Sequence, residues 1–271
     1  MIYINGKPYD NEGYEFTTYY DGTPLMRYKV DGQEDACDIT WCYDGDAEIV
    51  RLIFLVEHMK EHGIRRIRLY MPYIPNARCD RVKNPDEVFT LKYFARIING
   101  LGFEKVTALD PHSNVSEALF DRFTAVPPDE KVKDVIEKIG KDSLVLFFPD
   151  EGAVKRYAGI AKKAELPYVY AMKQRDWRTG KILGLTLLGD TETVKGKNVL
   201  MVDDICSKGG TFYHGAKLLR DNSVKDIYLY VSHCENTVLE GDLPGSGLIR
   251  KIYTTNSIYR KDHPLIEVMP V

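Results

Sequence analysis

One stretch, Asn198 to Phe212, narrows what this chain can fold into more than any other. Val199, Leu200, Met201 and Val202 form a short apolar run, the pattern of a strand buried inside a sheet. Two adjacent acids, Asp203 and Asp204, fall where that strand is expected to end. A small loop, Ser207-Lys208-Gly209-Gly210-Thr211, follows, and helix is predicted from Tyr213. Strand, glycine loop and helix N-terminus in that order make an anion site. Backbone N–H groups and the positive end of the helix dipole face the loop, and glycine lets a phosphate approach the backbone. Paired carboxylates suit another part of the same ligand, since they accept hydrogen bonds from two neighbouring hydroxyls such as a ribose 2- and 3-OH. Taken by itself, the segment also reads as a polar turn after a strand.

The flanking pattern favours the site. In the first half, residues 1–45 read as short strands and turns, with Phe16–Tyr20 and Leu25–Val30 joined through Asp21-Gly22-Thr23-Pro24 as a hairpin. Helical spacing predicts a helix over Ala47–His62 closed by Gly63, then strand Ile67–Tyr70, helix Phe89–Leu101, strand Lys105–Leu109 and a helical stretch near Ser116–Phe123. Pro127-Pro128 marks the predicted domain boundary. The second half repeats the alternation: helix Lys131–Ile139, strand Leu144–Phe148, a loop from Asp150, helix Val154–Ala164 and strand Tyr168–Met172. A charged loop, Lys173–Lys181, leads to strands Ile182–Leu188 and Val199–Val202, helix Tyr213–Asn222 and strands near Ile227–Ser232, Lys251–Thr254 and Leu265–Val268. Strands alternating with helices predict an α/β fold with mostly parallel sheets, built twice, as domains 1–127 and 128–271. Ligands of such sheets sit beyond the carboxyl ends of the strands.

Composition removes several classes of function. The 271 residues suffice for two domains of roughly 130. A net charge of −3 gives no basic field for nucleic acid. The start, Met1 to Asn5, has no signal-peptide pattern, and runs such as Leu52–Val56 are far too short to span a membrane. Five cysteines without a Cys-x-x-Cys pair predict a reduced, cytoplasmic protein with no zinc site.

Further chemistry lies in the loops. Arg78 and Arg81, with Asn76 and Asp80, bring two guanidiniums together, suited to gripping phosphates or stacking on a base; alone, such a cluster is a solvated loop. His112 lies directly after a strand beside Asp110, and Asp150 is similarly placed. Lys173 and Arg175 open the charged loop, where two cations suit the charge of a transferring phosphoryl group.

Read in order, these segments resemble the ribose-phosphate diphosphokinases, two-domain members of the type I phosphoribosyltransferase fold. Val-Asp-Asp-Ile with Ser-x-Gly-Gly-Thr is similar to the fold's phosphoribosyl diphosphate signature. Tyr73 to Arg81 resembles the Tyr-x-x-Ala-Arg-Gln-Asp-Arg segment, with Cys79 in place of Gln. Asp110-Pro111-His112 looks like Asp-Leu-His, and Pro149 to Arg156 like Pro-Asp-x-Gly-Gly-x-x-Arg, with Ala153 at the second Gly. Lys173-Gln174-Arg175 matches the flexible loop's Lys-x-Arg, and Thr255 to Ile258 resembles Thr-Asn-Thr-Ile. Asp21-Gly22 resembles the Asp-Gly-Glu hairpin that reaches a neighbouring subunit's adenine site, with Thr23 in place of Glu.

The resemblance implies two tandem phosphoribosyltransferase-like (Rossmann-like) domains, the first binding ATP and the second ribose phosphate, in a homodimer or higher homo-oligomer. It implies ATP contacts from Arg78, Asp80, Arg81, Tyr19 and Asp21, and Mg²⁺ at His112 and Asp150. It implies ribose 5-phosphate at Asp203, Asp204, Ser207, Lys208, Gly209, Gly210 and Thr211, and catalysis by Lys173 and Arg175. The expected reaction is transfer of the ATP diphosphoryl group to the anomeric hydroxyl of ribose 5-phosphate. Lys208 stands where Thr is usual; its point charge suits a more anionic or diphosphate-bearing acceptor than ribose 5-phosphate, ADP-ribose being one candidate. A non-catalytic nucleotide-binding homologue is the alternative from another class.

Overall fold

The computed structural model describes residues 1–9, 15–30, 35–175 and 182–271, with backbone alone at 15–16, 173–175 and 182–183. The chain divides into two compact units, Met1–Val126 and Pro127–Val271.

The first unit starts with an antiparallel pair, β1 (Ile2–Ile4) and β2 (Lys7–Pro8), and a separate hairpin, β3 (Glu15–Thr18) and β4 (Pro24–Arg27). Then come β5 (Ala36–Trp41), α1 (Ala47–Glu61), β6 (Arg66–Tyr70), α2 (Thr90–Gly100), β7 (Lys105–Leu109), α3 (Val115–Leu119) and β8 (Phe123–Val126). The sheet order is β2-β1-β5-β6-β7-β8, and β5 to β8 are parallel. The parallel strands follow chain order, and one apolar cluster joins them to α1 and α2 through Leu52, Val56, Phe94 and Ile98. Sequence reading left two of these strands unlocated. β5 lay within the stretch read only as strands and turns, and β8 begins at Phe123, the end of the expected helical stretch, and runs on through residues given no element. In the structure α3 stops at Leu119, and Phe123–Val126 joins the sheet edge beside β7.

The second unit contains α4 (Asp129–Ile139), β9 (Leu144–Phe148), α5 (Glu151–Ala164), β10 (Tyr168–Arg175), β11 (Ile182–Gly189) and β12 (Asn198–Cys206). It continues with α6 (Gly210–Asp221), β13 (Asp226–Cys234), α7 (Asp242–Gly245), β14 (Lys251–Thr255) and β15 (Ile266–Met269). The order is β11-β10-β9-β12-β13-β14-β15, parallel except for β11. All five residues of β9 are buried, as the run Leu-Val-Leu-Phe-Phe requires of a strand covered on both faces. On β12, Val199 and Met201 face a core shared with α6, while Leu200 and Val202 face one shared with α5. At Gly215 a Cβ would come within 2.9 Å of Met201, so α6 packs close to the sheet there.

Two boundaries bear on function. The strand expected to stop at Val202 continues to Cys206, because β13 runs beside it in register as far as Cys206 opposite Cys234. Asp203 and Asp204 therefore lie within the strand. The expected loop from Asp150 is instead a helix start: Asp150 is extended and its Oδ1 accepts the Ala153 amide at 3.0 Å, capping α5.

Candidate active site

Strand order in the second unit reverses between β9 and β12. From β9 the chain crosses to β10 on one side, and β12 takes the other side. A crevice at the carboxyl ends of two such strands is the ligand position of open α/β sheets. Asp150 leaves β9 there, and Asp203 and Asp204 lie in the carboxyl-terminal part of β12.

A third side chain ties the acids together. Arg156, one turn into α5, donates from Nη2 to Asp203 Oδ1 at 2.8 Å and to Asp204 Oδ1 at 2.7 Å. Asp204 is buried, with only 4% of its side chain exposed, and the Asp204 amide donates to Asp203 Oδ1 at 3.0 Å. Burial and then the Asp204 charge push Asp203 well above the usual carboxylate range, against the pull of Arg156. Burial works against the Arg156 charge too, but its bond to Asp204 and the nearby carboxylates outweigh it and raise its pKa. Two adjacent carboxylates on a strand buried on both faces are acceptors of the kind that hold vicinal hydroxyls.

The loop after β12 turns sharply. Gly209 has φ +80°, in the left-handed region, and a Cβ there would meet Leu243 at 3.0 Å. Gly210 starts α6, so Ser207 to Thr211 wraps the amides of a helix N-terminus, which lack acceptors in their own first turn. Opposite stands the segment after β13. Ser207 Oγ donates to Glu235 Oε2 at 2.7 Å, Lys208 Nζ lies 4.0 Å from Glu240 Oε2, and Gly241 backs onto the Lys208 carbonyl. A cavity of about 550 Å³ starts at Thr211 and runs between α6 and the β10–β11 hairpin over Phe147, Ala171 and Gly215; it includes neither Asp203 nor Asp204.

The second unit thus brings Asp150, Asp203, Asp204 and Ser207–Thr211 to one sheet edge. Lys173 and Arg175 lie on β10, paired with Leu185 and Ile182 of β11, where a loop was expected; their side chains, and residues 176–181, fall outside the described residues. In the first unit, Arg78, Asp80 and Arg81 follow β6 and His112 follows β7, so these segments leave the same edge of adjacent parallel strands. Arg78 and Arg81 are exposed. Buried Asp110 holds φ +42°, a left-handed conformation next to His112. Tyr19 and Asp21 sit on the separate β3–β4 hairpin, where Asp21 Oδ1 accepts from the Thr23 hydroxyl at 2.7 Å and amide at 2.9 Å. Those bonds, the hydroxyl's first, lower the Asp21 pKa. Sequence reasoning missed Arg156 and Glu235 as site residues. Arg156 did have a signal, as the closing residue of the Asp150–Arg156 segment; Glu235 had none.

A phosphoribosyl transferase domain matches residues 129–243. A ribose-phosphate pyrophosphokinase of Thermococcus kodakarensis is 32% identical over 221 residues, spanning 81% of this chain and 76% of the relative. The chain belongs to the ribose-phosphate pyrophosphokinase family. A second relative of that name, from Hyphomonas neptunium, is 26% identical over 95% of this chain and 84% of its own. The crystal structure of phosphoribosylpyrophosphate synthetase from Mycobacterium smegmatis superimposes with a TM-score of 0.79 at 20% identity, covering 95% of this chain and 85% of that one. That likeness shows the fold, an α/β architecture with mostly parallel sheets. As a ribose-phosphate pyrophosphokinase family member, the chain is a transferase. Among the described residues no helix is long and apolar enough to cross a membrane.

Proposed function

We propose that this chain transfers the diphosphoryl group of ATP to the anomeric hydroxyl of ribose 5-phosphate in a Mg²⁺-dependent reaction. The anomeric oxygen attacks the β-phosphorus, the bond from β-phosphorus to the bridging oxygen breaks, and phosphoribosyl diphosphate and AMP result. The observation that carries this reading is the Arg156-braced Asp203–Asp204 pair at the strand reversal, followed directly by a glycine loop and a helix N-terminus. Asp203 and Asp204 hold the ribose 2- and 3-hydroxyls, and Ser207 to Thr211 hold the 5-phosphate. On the first unit Arg78, Asp80 and Arg81 bind ATP, with Tyr19 and Asp21 from the hairpin. Lys173 and Arg175 stabilise the charge on the transferring group.

The donor set fits Mg²⁺. Mg²⁺ takes oxygen ligands, keeps several waters and is bound through one or two carboxylates together with substrate phosphates, a role open to the Asp150 carboxylate. His112 and Asp150 are the residues that would hold it, Asp150 standing at the N-cap of α5. When bound, the ion neutralises charge on the phosphate oxygens. The exposed Tyr19 and Tyr20 on the hairpin support a homo-oligomer in which this hairpin meets another subunit, and five free cysteines support a cytoplasmic setting.

Lys208 favours a second acceptor, ADP-ribose, through its added charge at the lip of the loop. AMP release from ATP and Mg²⁺ with each acceptor decides between them. AMP with ribose 5-phosphate is the expected result; AMP with ADP-ribose alone assigns the second acceptor; AMP with neither leaves a nucleotide-binding homologue without catalysis. Lys173→Ala should lower turnover by about 10²-fold or more with ATP affinity retained, and unchanged turnover would remove the loop from the mechanism.

A further inference from the structure

Glu235 places a carboxylate against a loop that should welcome phosphate. It follows β13, whose last residue Cys234 lies in register with Cys206, the residue before Ser207. The Glu235 amide donates to the Cys206 carbonyl at 2.8 Å, which delivers the side chain to the start of the loop. There Oε2 accepts from Ser207 Oγ at 2.7 Å and from Thr237 Oγ1 at 3.1 Å. A serine hydroxyl has one proton. With that proton given to Glu235, Ser207 turns lone pairs toward any ligand. The loop's own cation, Lys208, has Glu240 at 4.0 Å. Among the described residues, the carboxylates of Glu235 and Glu240 therefore stand on the same side of the loop as Lys208.

A doubly charged phosphate monoester meets this arrangement poorly, because its oxygens are acceptors facing an acceptor and its charge faces carboxylates. A singly charged phosphate is better matched. Such a group is either a monoester that keeps one proton, whose P–OH donates to Ser207 Oγ, or a phosphate joined on its second side through a diphosphate. We propose that Glu235 is a specificity-determining residue that selects a singly charged 5-phosphate on the acceptor. This rests on the reading of Ser207–Thr211 as the acceptor's phosphate loop.

Glu235→Gln tests it, since the amide oxygen still accepts from Ser207 while the charge is gone. At about pH 8 ribose 5-phosphate is mostly dianionic, and each phosphate of ADP-ribose carries one charge. The variant should lower KM for ribose 5-phosphate by about tenfold, change KM for ADP-ribose by less than about twofold, and leave kcat within about twofold for any acceptor that is turned over. Glu235→Asp should keep the wild-type ratio of the two KM values. Equal changes for both acceptors, or no change for ribose 5-phosphate, overturn the proposal and make Glu235 a brace for the loop. Glu240→Gln, at an exposed position, should shift the ratio the same way by about two- to threefold, and it serves if Glu235→Gln does not fold. If no acceptor yields AMP, the proposed reaction fails. Calorimetric titration of ribose 5-phosphate alone then decides: tighter binding to Glu235→Gln upholds the selectivity, and equal or absent binding overturns it.

Discussion

In the first unit β6 reads Arg66-Ile67-Arg68-Leu69-Tyr70 and buries Ile67 and Leu69, while both arginines stay exposed; in the second unit β9 reads Leu144-Val145-Leu146-Phe147-Phe148 and buries every residue. Both are parallel strands between crossover helices. They differ in where the chain goes next. From β5 to β8 each crossover moves the sheet one strand in the same direction, and a single apolar cluster forms. Around β9 the chain moves to both sides in turn, α5 and α6 cover opposite faces, and two clusters sandwich the sheet. The reversal opens a crevice at the carboxyl ends of β9 and β12, and burial on both faces holds its floor rigid. So Asp203 and Asp204 are fixed by packing and by Arg156, whereas the Arg78–Arg81 segment of the first unit lies in an irregular surface stretch.

If that contrast is right, the largest loss should follow from breaking the braced acid pair. Arg156→Met leaves two adjacent, largely buried carboxylates without their guanidinium. A loss of about 3–5 kcal/mol is expected, measured by denaturant unfolding of the intact chain at neutral pH. The loss should shrink in acid, where one carboxylate takes up a proton. A loss below about 1 kcal/mol would mean that the site is solvated and the crevice not rigid. Gly209→Ala should cost less, about 1–2 kcal/mol, because it forces a Cβ into φ +80° and against Leu243. It should also raise KM for the acceptor, since the loop can no longer hold its turn.

Asp203→Asn sharpens the comparison in the opposite direction. A carboxylic acid whose pKa is raised on folding contributes stability below its unfolded value, and loses it as pH rises through the folded value. Burial and Asp204 raise Asp203. Asparagine keeps the acceptor oxygen for Arg156 and removes the like-charge repulsion, so the variant should be more stable than the parent by about 1 kcal/mol at neutral pH. The difference should vanish below about pH 4, where both side chains are neutral. Turnover should fall at the same time, as expected where a site stores strain for function.

Much of this was legible in the sequence because the signals were local. The apolar run before Asp203, the glycines after Ser207 and the alternation of strands and helices gave the fold class and the edge on which Asp150, Asp203 and Asp204 meet. What was hidden depends on neighbours far along the chain. β12 extends through both acids only because β13 pairs with it to Cys234. β8 is a strand because β7 offers it an edge, though its own four residues carry little pattern. Glu235 reaches Ser207 across two strands and 28 positions, a contact that no spacing within one segment reveals.

The smallest effect belongs to the open face of the first sheet. Arg68 Nε lies 2.6 Å from Asp38 Oδ1, and its Nη2 donates to Oδ2 at 2.8 Å, a two-point pair of good geometry. Geometry alone would make it a strong pair. Exposure decides otherwise: about half of each side chain is in water, at 49% and 56%, so both ions keep most of their hydration and salt screens their attraction. Arg68→Ala should therefore cost less than about 1 kcal/mol, and a double-mutant cycle with Asp38→Ala should place the coupling in the same range. About 1 M salt should erase that coupling, while leaving most of the Arg156 effect in place. A coupling at Arg68 as large as the loss at Arg156 would show that this sheet face is covered in the working protein, and would overturn the distinction between a one-faced and a two-faced sheet.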